Sequence, residues 1–172
     1  MTATIGAFRI GGEGVSSPRP TAMSPDARIT LIDQQLDQRP TARSSVLILE
    51  IDREGDAFAT IDRFRHLVDS PEDTSAPDLI EFMRVGVTGT VGAAEYLHWT
   101  LSTGEQTIYA TYNTAPTAAT VPPVLYDDCV PQFFPPETVI ALDQVRQLMI
   151  SFALHGTWPS AAFWGRRDQL VV

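Results

Sequence analysis

Lysine is absent from this chain. All twelve basic residues are arginine, set against 21 acidic ones for a formal net charge of −9. Nonspecific nucleic-acid binding needs a basic surface that displaces counterions, so this balance argues against a direct nucleic-acid partner. Cysteine is nearly absent too. The single Cys129 rules out an internal disulfide and a thiolate cluster for zinc. No apolar run approaches the roughly 18 residues of a membrane span. The first twenty residues, MTATIGAFRIGGEGVSSPRP, lack a basic start followed by an apolar block, so no secretory signal is read and a cytoplasmic protein is expected. Catalytic signatures are missing as well: no nucleophile elbow, P-loop, dinucleotide fingerprint or metal-binding histidine pair occurs. The zinc-deaminase pattern fails for want of a Cys-x-x-Cys. No enzyme activity, cofactor or metal is expected.

At 172 residues, with 44% hydrophobic and 19% charged content, the chain has the size and composition of one folded domain. Its clearest unit is residues 131–164, PQFFPPETVIALDQVRQLMISFALHGTWPSAAFW. Phe133 and Phe134 read as a buried strand cut off by Pro135 and Pro136, which lack an amide hydrogen. Leu142, Val145, Leu148, Met149, Phe152 and Ala153 then keep the three/four spacing of one helix face. Gly156 is a stop. Burying each large apolar side chain of that face contributes about 1.5–3 kcal/mol before entropy is counted, so the helix is expected at the centre of the core.

Ahead of it, residues 1–24 are rich in Gly, Ser, Thr and Pro and read as a flexible leader. Ser24-Pro25-Asp26 is a helix start: a cap, a first-turn proline and an acid. Ile29, Ile32 and Leu36 keep helical spacing as far as Pro40, with a strand over residues 28–32 as the competing reading. SVLILEI at 45–51 is a strand pattern. Asp56 then opens a helix carrying Phe58, Ile61, Phe64, Leu67 and Val68. Residues 69–78, DSPEDTSAPD, form a polar loop with four carboxylates. Residues 79–87, 93–100 and 106–113 read as a strand meander, with Gly86, Gly89 and Gly92 in the first connection and Ser102-Thr103-Gly104-Glu105 as a hairpin loop. Cys129 stands next to Asp127 and Asp128 rather than beside the cation that activates a thiolate, and is read as structural. The order of elements predicts a single α+β domain over residues 25–165, with a mainly antiparallel sheet, helices packed on one face and a tail at 166–172.

The pattern Phe134-Pro135-Pro136, then Ile140-Ala141-Leu142-Asp143-Gln144-Val145-Arg146, then Gly156, Pro159 and Trp164, resembles the C-terminal half of the Imm1 family. Ala141 stands where that family typically has proline, and Val145 where it has alanine. These are small immunity proteins encoded beside polymorphic bacterial toxins, nucleic-acid deaminases among them. The resemblance covers residues 45–165 and is most specific in the last third. It implies a protein that neutralises a cognate toxin by tight, non-covalent binding.

A toxin that grips phosphates has a basic channel, and an acidic, aromatic-dotted face would cover it. Loop position and charge nominate Glu72, Asp73, Glu95, Glu105, Tyr126, Asp127 and Asp128 for that contact. Two other classes fit the residues. One is an interaction or secretion-accessory module without a toxin. The other is a small enzyme using His98 or His155 with a nearby carboxylate.

Overall fold

The computed structural model describes residues 4–10, 21–22, 24–37, 45–52, 79–100, 102–113, 122–127, 132–155 and 164–166. Its first strands are β1 (Thr4–Ile10) and β2 (Thr21–Ala22), followed by helix α1 (Pro25–Asp37) and β3 (Ser45–Asp52). The meander β4 (Leu79–Thr88), β5 (Val91–Thr100) and β6 (Glu105–Thr111) comes next. Two short strands, β7 (Leu125–Asp127) and β8 (Gln132–Phe133), a 3-10 turn (Pro136–Thr138) and β9 (Ile140–Ala141) lead into helix α2 (Leu142–His155), and β10 (Trp164–Arg166) follows. The main sheet runs β10-β6-β5-β4-β3-β1-β2 with β9 beside β5, while β7 and β8 form a separate ribbon. All of these pairings are antiparallel. This is the α+β domain that the order of elements predicts.

Alternation along β4 and β5 divides the sheet into two working faces. Met83, Val85 and Val87 on β4, with Ala94 and Tyr96 on β5, face the helices and meet Leu31, Ile32 and Leu36 of α1 and Val145, Leu148, Met149 and Phe152 of α2. Tyr96 meets Phe152 edge-on, their ring centroids 5.8 Å apart. Both helices therefore pack on one face of the sheet. On the other face, Ala93, Val124, Phe134 and Val139 form a second, smaller core beneath the β7–β8 ribbon. That ribbon makes Gly86 obligatory: a Cβ there would lie 2.2 Å from the carbonyl oxygen of Leu125 and 2.7 Å from Val124 Cγ1.

Each helix begins as its residues dictate. The Ala27 amide donates to Ser24 Oγ at 3.3 Å and the Arg28 amide to the Ser24 carbonyl at 3.0 Å, so Ser24 caps α1 and residues 28–32 are helix, not strand. At α2 the side chain of Gln144 reaches back to accept the Ala141 amide at 3.1 Å, one half of a capping box. The helices are fastened to each other at two points. Arg28 Nη1 donates to the Ala153 carbonyl at 2.9 Å. Arg146 grips Asp33 with two bonds of 2.6 and 2.8 Å.

Two expectations are corrected. Residues 4–10 and 21–22 are strands, not a flexible leader: β1 pairs with β3 from Thr4↔Asp52 to Ile10↔Val46. Phe133 and Phe134 do not enter a core together. Phe134 is buried, but Phe133 is 52% exposed: β8 ends at Phe133, and Phe134, just past it, enters the small core with its amide on the Val124 carbonyl. The helix expected after Asp56, the loop at 69–78 and the stop at Gly156 lie outside the described residues.

Candidate functional site

The β7–β8 ribbon is held to the sheet by a mixed polar and aromatic contact centred on Tyr126. Its ring meets Phe134 edge-on at 5.2 Å. The Arg84 guanidinium lies over the same ring, 4.3 Å from the centroid, an arrangement in which the negative face of the ring attracts the cation. The Tyr126 hydroxyl donates to Glu95 Oε1 at 3.0 Å. Arg84 and Glu95 are cross-strand partners on β4 and β5, so the ribbon rests on an oppositely charged pair of positions. Arg84 Nε is buried without a hydrogen-bond partner among the described residues.

The segment from the ribbon to α2 is fastened just as firmly. The Phe134 amide donates to the Val124 carbonyl at 2.9 Å, and the Asn113 amide to the Glu137 carbonyl at 2.7 Å. Thr111 Oγ1 accepts the Ala94 amide at 3.0 Å and donates to the Thr138 carbonyl at 2.6 Å. Asn113 Nδ2 donates to the Val139 carbonyl at 3.1 Å. Two aromatic rings next to this segment are exposed: Phe133, the last residue of β8, at 52% and Tyr112, just after β6, at 38%.

The nominated partner-contact residues are divided by this geometry. Glu95 is only 4% exposed, so its carboxylate is an internal acceptor for Tyr126 and not a surface group; this corrects the expectation of a contact there. Tyr126 is half-buried above Glu95. Asp127 ends β7, its backbone opposite Gln132. Glu105 is exposed but pairs with Thr100, five residues from Glu95 along β5 or about 17 Å. By alternation it belongs to the face that carries the helices. Glu72, Asp73 and Asp128 lie outside the described residues, as does Cys129. Sequence reasoning does not nominate Arg84, Phe133 or Glu137. Of these only Phe133 has a local signal, its place before Phe134 and two prolines, and that signal reads as burial.

A second polar group lies on the helix-bearing face. The Tyr96 hydroxyl donates to Glu81 Oε1, and His98 Nδ1 lies 3.3 Å from the same oxygen. The His98 side chain is 40% exposed and that of Glu81 13%. His155 is exposed at the end of α2. Among the described residues no group of three or more His, Cys, Asp or Glu is placed to hold a metal ion. None of the described helices is long and apolar enough to cross a membrane.

Among curated proteins none matches the chain. Among solved structures, a hypothetical protein from Neisseria gonorrhoeae is similar at a TM-score of 0.49 and 11% identity, over 94% of this chain and 93% of that one. The family described as "Immunity protein Imm1" matches residues 34–165, which takes in α1 from its last turn, the meander, the Tyr126 ribbon and α2. With most of its length inside that match, the chain belongs to the Imm1 family of immunity proteins.

Proposed function

We propose that this protein neutralises a cognate, nucleic-acid-targeting toxin of a polymorphic toxin system by tight non-covalent binding that covers the toxin's active site. The observation that carries the reading is the family match over residues 34–165. Charge supports the choice of target. A toxin that grips phosphates has a basic channel, and a chain of net charge −9 is attracted to it, which speeds encounter and disfavours wrong partners. Tight binding alone accounts for neutralisation.

The test is co-expression with the toxin-domain protein encoded by the adjacent gene. A stable complex that restores growth supports the reading. Absence of both complex and rescue overturns it.

One observation favours a second reading, a small enzyme working through His98: Glu81 lies within 3.3 Å of His98 Nδ1 and could hold the ring in one orientation. His98→Ala separates the two. Rescue that survives the substitution removes the enzyme, whereas lost rescue with an intact complex would replace binding by catalysis.

A further inference from the structure

We infer that the toxin docks on the outer layer formed by the β7–β8 ribbon and the segment after it, with Phe133 and Tyr112 as aromatic anchors for a cationic polypeptide surface. This rests on the immunity reading and adds to it the face, the anchors and the chemistry of the partner.

The first argument is exposure in a place that is otherwise closed. Phe133 and Tyr112 are the exposed large hydrophobics among the described residues, and both border one short stretch. Phe133 precedes Phe134, which is buried in the small core. Tyr112 stands between Thr111 and Asn113, and both of those bond to residues 137–139. Isolated exposed apolar side chains need no explanation, but these two are both tied to one segment, Phe133 by chain continuity with Phe134 and Tyr112 through the bonds of its neighbours to residues 137–139.

The second argument is rigidity. Phe133 is paired with Leu125 across the ribbon and followed by Pro135 and Pro136. Tyr112 has a hydrogen-bonded residue on each side. Little backbone freedom is left to lose when a partner covers these rings, and pre-organised aromatic anchors are where binding energy concentrates. Tyr126 has a different part. It is turned in against Arg84, Glu95 and Phe134, so it is a positioning residue for the ribbon rather than a contact.

The third argument selects the occupant. Asp127 shares the ribbon with Phe133, and Glu137 is bonded through its carbonyl to the neighbour of Tyr112. Acidic residues thus stand at backbone positions next to those of both rings, in a chain with an excess of nine negative charges. Arginine or lysine side chains of a partner would stack on the rings and be drawn in by the negative charge of the chain. An anionic lipid surface is repelled by the same charges, and a second copy of this chain would set acid against acid.

The experiment uses the full chain and the toxin domain encoded beside it, with affinity measured by titration calorimetry. Phe133→Ala and Tyr112→Ala are expected to weaken binding by about 10- to 100-fold each, and the double variant to lose rescue, with melting temperatures close to wild type because both rings are exposed. Phe133→Arg, which sets a cation against a basic surface, is expected to weaken binding further and gives the same reading if either alanine variant is poorly folded. Glu105→Arg on the other face is expected to leave the affinity within about twofold. A double variant that binds like wild type overturns this face while leaving immunity intact. Wild-type protein that neither binds nor rescues overturns both. Loss of self-association rather than toxin binding would make the patch a homodimer surface and also overturns the proposal.

Discussion

The Tyr126 hydroxyl donates to Glu95 Oε1 at 3.0 Å across the gap between the ribbon and the sheet, joining a half-buried ring to a carboxylate that is 4% exposed. A charged acceptor in such a setting needs its donors, since burial without them is expensive. Tyr126→Phe keeps the ring over Phe134 and beneath Arg84 but removes one donor from Glu95. The expected loss is about 1.5–3 kcal/mol of unfolding free energy, the range for hydrogen bonds to charged groups. Urea denaturation checks it. Combining Tyr126→Phe with Glu95→Gln should cost less than the two single losses added, because both remove the same bond. Strict additivity would mean that the bond carries no stability.

Gly86 offers a sharper steric test. Its missing Cβ would meet the Leu125 carbonyl at 2.2 Å and the Phe134 ring at 2.9 Å, so Gly86→Ala forces the ribbon away from β4. Overpacking of this kind costs about 1–3 kcal/mol. The displacement should also move Phe133, so toxin affinity is expected to fall along with the melting temperature. Gly104→Ala fails for another reason. Nothing lies near its Cβ, but its φ of +68° is strained for any side chain. It is expected to lower the melting temperature without affecting affinity. Equal effects of both variants on binding would argue against the ribbon as the docking layer.

These contrasts also explain what could be read from the residues alone. Helix α2 and the β4–β6 meander were legible because their signals are local: a three/four apolar period from Leu142 to Ala153, and strands broken by glycines with positive φ at Gly89 and Gly104. Strand β1 was not legible. Its sequence, TIGAFRI, has no clean alternation, and it is defined by pairing with distant β3, as in Phe8↔Ile48. The site was harder still. Glu95 looked like a solvent-facing acid because nothing in residues 91–100 announces that a ribbon from residue 125 onward will cover it. Phe133 is harder again, because nothing in residues 131–136 says that the strand ends between the two phenylalanines and that only Phe134 enters the small core.

Among the described residues, the pair that joins the helices contains a carboxyl whose protonation should affect stability. The Asp33 carboxyl is held below its ordinary value of 3.8, chiefly by the hydrogen bond from Arg146, with burial opposing and the charge of Arg146 assisting. A carboxyl whose folded pKa is depressed contributes stability that is complete above its unfolded value and vanishes as pH falls through the folded one. Both side chains are about 40% exposed, so solvent and salt screen the pair. Asp33→Asn is therefore expected to lower the melting temperature at pH 7 by no more than about 2–4 °C. That difference should shrink below about pH 4, once the wild-type carboxyl is protonated as well. A gap that stays constant down to pH 2 would show that the ion pair does not stabilise the fold.

Helix α1 lies mostly outside the family match, which begins at residue 34, yet it is part of the core. Leu31 and Ile32 are buried among Met83, Val85 and the α2 face, and each contributes about 1.5–3 kcal/mol by burial. Arg28, itself buried, donates to the Ala153 carbonyl near the end of α2 and supplies a charge-assisted bond where helix carbonyls lack partners. Strand β1 goes with it, leaving β3 with an open edge. A fragment restricted to residues 34–165 is accordingly expected to show no cooperative thermal transition by circular dichroism, although it retains the whole matched span. Within the full chain, Arg28→Ala should cost about 1.5–3 kcal/mol. A 34–165 fragment that melts cooperatively near the full-length temperature would show instead that α1 and β1 are an addition to a self-sufficient domain. Failure of the fragment places the boundary of the folding unit well before the boundary of the family resemblance.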